Sequence, residues 1–151
     1  MARGIASWLS GAPPPASGRY SGETLGLPEH GSGSLARMGR RLAALLIDWL
    51  VAYGLAALGV TLGLGTPRLL PTAVLVIWMV LGMAAVRLFE FTPGQFALGL
   101  RVVPLGGREH VGLGRAALRG LMIALVVPPL FVDGDGRGLH DRISGTAVLR
   151  R

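Results

Sequence analysis

The sequence LAALLIDWLVAYGLAALGVTLGL, from Leu42 to Leu64, decides the fold. It is 23 residues long and carries a single residue that is charged at neutral pH, Asp48. Because a helix needs roughly 20 apolar residues to cross the hydrocarbon core of a bilayer, this stretch predicts a transmembrane helix. A carboxylate inside such a helix costs about 2.5–3.5 kcal/mol unless it faces protein, water or a partner. We therefore expect other parts of the chain to compensate the charge of Asp48.

Two arginines, Arg40 and Arg41, stand immediately before this span. Arg41 precedes Asp48 by seven residues, so both side chains project from one face of a helix, about 10 Å apart along its axis. In a functional interpretation, Asp48 binds a cation or a proton, and Arg41 tunes the site or competes for it. In a structural interpretation, the pair neutralises itself and fixes helix packing. The sequence leaves both interpretations open.

The composition of the whole chain also indicates a membrane protein. Of 151 residues, 51% are apolar and only 15% are charged, which is too apolar for an ordinary soluble domain. The net charge of +7 comes from fifteen basic residues, all of them arginine. Because the arginines flank apolar segments, we expect them to contact anionic headgroups or to set topology, and we predict no nucleic-acid partner. The chain has no cysteine, which excludes disulfides and thiolate chemistry.

Two domains are predicted: a disordered cytoplasmic tail over residues 1–35, rich in Gly, Pro and Ser, and a membrane domain over residues 36–151. A second span is predicted from Leu69 to Leu88. By the positive-inside rule, the arginines before the first span hold the N-terminus in the cytoplasm.

A third apolar stretch, Leu118 to Val132, has only 15 residues and contains two adjacent prolines, which break a helix. It is either a thin, kinked crossing or a re-entrant segment. The four arginines of the following tail favour the re-entrant form, with a cytoplasmic C-terminus.

Two short stretches have strand character. Leu100 to Val103 is apolar and β-branched and is followed by a glycine turn, which predicts a small strand or hairpin. Thr146 to Leu149 is a second strand candidate that could pair with it. The predicted fold class is thus an all-α membrane protein with two transmembrane helices, a short Pro-broken third segment and a small cytoplasmic β-hairpin.

Three stretches of the sequence form motifs: Arg41-x-x-Ala44-x-x-Ile47-Asp48, Thr92-x-Gly94-x4-Gly99-Leu100-Arg101-Val102-Val103, and Leu139-His140-Asp141-Arg142-Ile143-Ser144-Gly145-Thr146. Together they resemble the RDD family of small bacterial membrane proteins, which is named for one arginine and two aspartates. The resemblance covers roughly Arg37 to Leu149. Gln95 stands where a lysine is usual in that family.

The resemblance implies a protein of the bacterial cell membrane with a transport role and no established substrate. Some members of the family are thought to move sodium ions and protons. We take Arg41, Asp48 and Asp141 as the candidate ion-binding or transport residues. The supporting candidates lie in the three motifs or directly beside them: Arg40, His140, Arg142, Arg101, Thr92 and Gly94.

The sequence offers no enzyme signature, since it lacks a nucleophile elbow, a His-Glu metal spacing and a dinucleotide fingerprint. Asp133-Gly-Asp135-Gly-Arg137 lacks the further ligands of a calcium loop. We therefore predict no enzyme activity, no metal and no cofactor.

Two functions remain open. The first is a small ion or solute transporter, which would need a homo-oligomer because two or three segments are few to enclose a pathway. The second is a membrane anchor or regulatory scaffold for a cytoplasmic protein partner, which would use the tail and the basic loops.

Overall fold

The computed structural model describes residues 20–107, 109–124 and 137–151, without the side chain of Leu139. Two long helices dominate it: α1, Met38–Thr61, and α2, Leu70–Phe89. A 3-10 turn, Pro67–Leu69, joins them, and Pro71 occupies the first turn of α2, where a missing N–H is tolerated. The segments Met38–Thr61 and Pro67–Phe89 are long and apolar enough to cross a membrane, as predicted.

Most apolar side chains on these two helices face outwards. Only 22% and 17% of the most apolar windows of the two segments are buried, whereas the core helix of a soluble protein would be mostly buried. Exposed residues include Leu50, Tyr53 and Leu58. Small residues bring the helices together on the inner side, where Ala52 and Ala56 pack against Val74.

A two-stranded antiparallel sheet lies beyond the ends of the long helices. Strand β1, Leu100–Pro104, pairs with strand β2, Thr146–Arg150, in a register that sets Val102 opposite Val148. The predicted pairing of these two stretches is confirmed. The expected hairpin is wrong, because the two strands are not joined by a turn: the described residues between them include two helices.

The remaining helices of the described residues are α3, Pro93–Ala97, α4, Leu113–Ala124, and α5, Leu139–Ser144. Side chains from α1, α2, α4 and the sheet form one apolar core, which includes Ala44, Val86, Ala116 and Val148. This core fixes the sheet against the ends of the long helices.

Parts of several predictions lie outside the described residues. Helix α4 contains the first part of the third apolar stretch, up to Ala124. Residues 125–136, which include the paired prolines and the calcium-like aspartates, lie outside, as do Arg108 and residues 1–19 of the predicted tail. Whether the third stretch crosses or re-enters the membrane stays a prediction.

Residues 20–36 lie against the sheet. They contain a 3-10 turn, Glu23–Leu25, and a bridge between Leu35 and Leu149. The Gly33 N–H donates to the Arg150 carbonyl at 2.8 Å, and the Ala36 N–H donates to the Val148 carbonyl at 2.9 Å. The last residues of the predicted tail thus extend the sheet edge, which the Gly- and Ser-rich composition did not indicate.

Candidate functional site

Asp141 is the centre of a buried polar cluster. It lies in the first turn of α5, and its carboxylate is fully buried. Arg41, from the first turn of α1, donates from Nη1 to Oδ2 at 3.1 Å. Arg119, from α4, donates from Nη1 to Oδ1. Three elements that are distant in sequence therefore meet through one carboxylate.

The cluster has an excess of positive charge. Two guanidinium groups contact the single carboxylate of Asp141, and all three side chains are buried. Such a cluster is stable only while its charges remain paired, because an unpaired buried ion loses its hydration without compensation.

Further polar contacts surround Asp141. The His140 Nε2 lies 3.3 Å from its Oδ1. Ser144 donates from Oγ to the His140 carbonyl at 2.7 Å and lies 2.9 Å from the Thr146 hydroxyl. Arg137 donates to the carbonyls of Asp141 and Thr146 at 3.3 and 3.0 Å. These bonds hold α5 and the start of β2 in one arrangement around the carboxylate.

Asp48 is held by a second, separate set of contacts. It lies inside α1 and is only 6% exposed. The Thr92 hydroxyl donates to Oδ2 at 2.5 Å, and the Gly94 N–H donates to Oδ1 at 2.7 Å. Thr92 is also the N-cap of α3, where it forms a capping box with Gln95. The start of α3 thus supplies one hydrogen bond to each oxygen of the Asp48 carboxylate.

Glycine is required at position 94 because α3 touches the backbone of α1 there. A Cβ on Gly94 would overlap the carbonyl oxygen of Ala44 and would lie 2.9 Å from its carbonyl carbon. The Asp48 Cγ would lie 3.1 Å from the same Cβ. The close approach is therefore what allows the Gly94 N–H to reach Asp48.

A cavity of about 50 Å³ lies between α1, α2 and α4. A water needs about 10–15 Å³ by this measure, so the cavity has room for several. Its polar lining comes from both clusters and includes Asp48, Arg41, Arg119 and His140. Apolar side chains line the remainder: Leu42, Leu45, Trp78, Met79, Leu81 and Ile123.

The structure brings together six of the candidate residues and leaves three on the surface. Arg101 and Arg142 are exposed, and the exposed Arg40 donates to the Leu98 carbonyl at 3.3 Å. The sequence linked Arg41 to Asp48, whereas the structure gives Arg41 a contact with Asp141 and gives Asp48 contacts with α3. The six that border the cavity or the two carboxylates are Arg41, Asp48, Thr92, Gly94, His140 and Asp141.

Sequence reasoning missed Arg119 and Gln95 as parts of the site. The available signal for Arg119 was its position at the start of an apolar stretch. It lies three residues after Ala116, so the two residues share one helix face, and both are buried in the structure. Gln95 contributes through the capping box, and this pattern could be read locally from Thr92. Within the described part of the chain, no cluster of His, Asp and Glu side chains could hold a metal ion.

The two long helices are apolar and largely exposed, and a buried arginine–aspartate cluster lies at one end of them. These are features of a membrane protein. The RDD family model matches residues 35–145, so the chain belongs to the RDD family. The matched range contains Arg41, Asp48 and Asp141. No curated protein and no solved structure matches the chain.

Proposed function

We propose that this RDD protein is a multi-pass protein of the bacterial cell membrane that transports a small ion or solute. Asp48 lies on the proposed pathway, and the arginine–aspartate cluster borders it. The proposed role is non-enzymatic and needs no cofactor. The observation that carries the proposal is the cavity between α1, α2 and α4, which is lined by groups from both polar clusters.

The proposed orientation places both chain ends in the cytoplasm. Between residues 49 and 86 the only charged residue is Arg68, in the turn that joins α1 to α2. Arginines are numerous at the opposite ends of these helices, where Arg37, Arg40 and Arg87 are exposed. By the positive-inside rule, this difference favours a cytoplasmic position for the arginine-rich end.

The sheet supports a re-entrant third segment. Strand β1 follows α2, and residues 34–36 precede α1, yet both are hydrogen-bonded to β2. This pairing favours a position of all three segments on the same side of a bilayer. In the proposed topology, α1 and α2 each cross once, and the third apolar stretch begins and ends on that side.

The proposed transporter is a homo-oligomer. Two spans bury little of their own surface and cannot enclose a continuous pathway by themselves. Further copies would cover the outward-facing apolar side chains of α1 and α2. Anionic lipid headgroups are the other proposed partners, at the exposed arginines of the arginine-rich end.

Replacing Asp48 with Asn is expected to abolish transport while the protein still folds. Asn keeps the shape of Asp and can accept the Gly94 N–H and donate to the Thr92 hydroxyl, but it cannot carry a charge. The measurement is sodium, potassium and proton flux in proteoliposomes at matched insertion. The control is Glu29→Gln, which removes an exposed carboxylate outside the spans.

The transport proposal is supported if the wild type and the control show flux and Asp48→Asn shows none. Wild-type flux in Asp48→Asn contradicts it. The absence of flux from all three proteins would favour the second proposal, an anchor or regulatory scaffold for a cytoplasmic protein. One observation favours that alternative: the Asp141 carboxylate is already paired with two arginines, an arrangement that a purely structural cluster would also have.

A further inference from the structure

Two phenylalanines and one arginine form a cluster beyond the C-terminal end of α2. The rings of Phe91 and Phe96 have centroids 5.1 Å apart. The Arg151 guanidinium carbon lies 5.2 Å from each centroid. The Arg151 N–H donates to the Gly99 carbonyl at 2.7 Å, which fixes the backbone of the arginine beside the rings. We refer to Phe91, Phe96 and Arg151 as the phenylalanine–arginine cluster.

This cluster lies where α2 would leave the membrane. Phe89 is the last residue of α2, and its ring is stacked on Phe91 with a centroid distance of 6.0 Å. Phe89 is 61% exposed and Phe96 is 57% exposed. Exposed aromatic rings thus lie beside a cation at the end of a candidate span. This combination suits the interfacial region of a bilayer, where one side is apolar and the other polar.

The Arg151 guanidinium retains its capacity to bind an anion. The guanidinium carbon lies over both rings, and a guanidinium carries its five N–H donors in the plane of the group. Among the described residues, none accepts a hydrogen bond from these donors. Arg40 adds a second exposed cation nearby, since its Nη1 donates to the carbonyl of Leu98, two residues after Phe96.

We propose that the phenylalanine–arginine cluster binds the headgroup phosphate of an anionic phospholipid. Arg151 offers its planar edge to the phosphate oxygens, which is the bidentate geometry that arginine favours. The exposed rings of Phe89 and Phe96 contact the acyl region next to that headgroup. The inference rests on the membrane insertion of α2 and does not require transport by Asp48.

The test is native mass spectrometry of the full chain released from detergent with phosphatidylglycerol or phosphatidylcholine. Arg151→Gln is expected to weaken phosphatidylglycerol binding about fivefold, the effect of one arginine near an anionic surface. Phosphatidylcholine binding should not change. Phe96→Leu keeps the apolar bulk but removes the ring face, and it should weaken phosphatidylglycerol binding about twofold. Circular dichroism checks that each variant keeps its helix content.

The matched control is Arg68→Gln, which removes an exposed arginine at the opposite end of α2. We expect it to retain wild-type phosphatidylglycerol binding. Equal losses in Arg68→Gln and Arg151→Gln would overturn the proposal, because they would indicate a general charge effect. Unchanged phosphatidylglycerol binding in Arg151→Gln would also overturn it, as would an equal loss of both lipids. Flux measurements do not enter this test, so its failure leaves the transport proposal untouched.

Discussion

Asp141→Asn is expected to destabilise the folded protein by about 3–5 kcal/mol, the usual cost of removing one partner from a buried ion pair. The variant keeps the shape of the side chain, but it leaves the guanidinium groups of Arg41 and Arg119 buried without their shared carboxylate. The measurement is unfolding of the purified protein in detergent. A neighbouring exposed residue supplies the control: Arg142→Gln should change stability by no more than about 0.5 kcal/mol.

A double variant sharpens this prediction. Adding Arg119→Gln to Asp141→Asn removes one of the two cations left unpaired, so the double variant should be more stable than the sum of the single effects predicts. Additive effects, or an Asp141→Asn variant as stable as Arg142→Gln, would contradict the ion-pair role of Asp141.

Gly94→Ala is expected to have the second largest effect, a loss of about 3 kcal/mol, at the upper end of what overpacking costs. The added methyl group meets backbone atoms of Ala44, which cannot rotate away as a side chain can. Helix α3 has to move off α1, and the hydrogen bonds from Thr92 and Gly94 to Asp48 are lost with that movement. Thermal unfolding in detergent measures the loss.

Gly114→Ala is the matched control for this substitution. Gly114 lies in α4 with nothing within 4 Å of an added Cβ, so alanine there should be neutral or stabilising by up to about 1 kcal/mol. If both alanine variants were equally stable, α3 would not lie against α1 as closely as the structure places it.

Elements with a local sequence signal could be predicted well. The apolar runs predicted spans from Leu42 to Leu64 and from Leu69 to Leu88, and the helices occupy Met38–Thr61 and Leu70–Phe89. The first helix begins earlier, at Met38, and its first turn contains Arg41, whose side chain is buried against Asp141. Hydropathy alone does not register this burial.

The partners of the two aspartates could not be derived from spacing. Thr92 is 44 residues from Asp48, and Arg41 is 100 residues from Asp141. Helical periodicity constrains only neighbours within a few turns, so it paired Arg41 with Asp48 on one face of α1. Tertiary packing decides which side chains actually meet, and here it brings α4 and α5 against the first turn of α1.

The role of the family motifs becomes clearer from these contacts. Thr92 and Gly94, from the second motif, are hydrogen-bond donors to Asp48. The third motif contains Asp141, which accepts a hydrogen bond from Arg41. The resemblance placed the motifs in order along the chain, but it did not indicate that Arg119 would be the second cation on Asp141.

Every proposed role of Asp48 requires that α1 and α2 cross the bilayer as a hairpin, and single-cysteine labelling tests this most directly. The natural chain has no cysteine, so each introduced thiol reports alone. Thr66, between the helices, and Ser32, before α1, are both exposed. A membrane-impermeant maleimide should label Thr66→Cys in intact spheroplasts and Ser32→Cys only after permeabilisation. Equal labelling of both variants in intact spheroplasts would place the two sites on one side and contradict the hairpin.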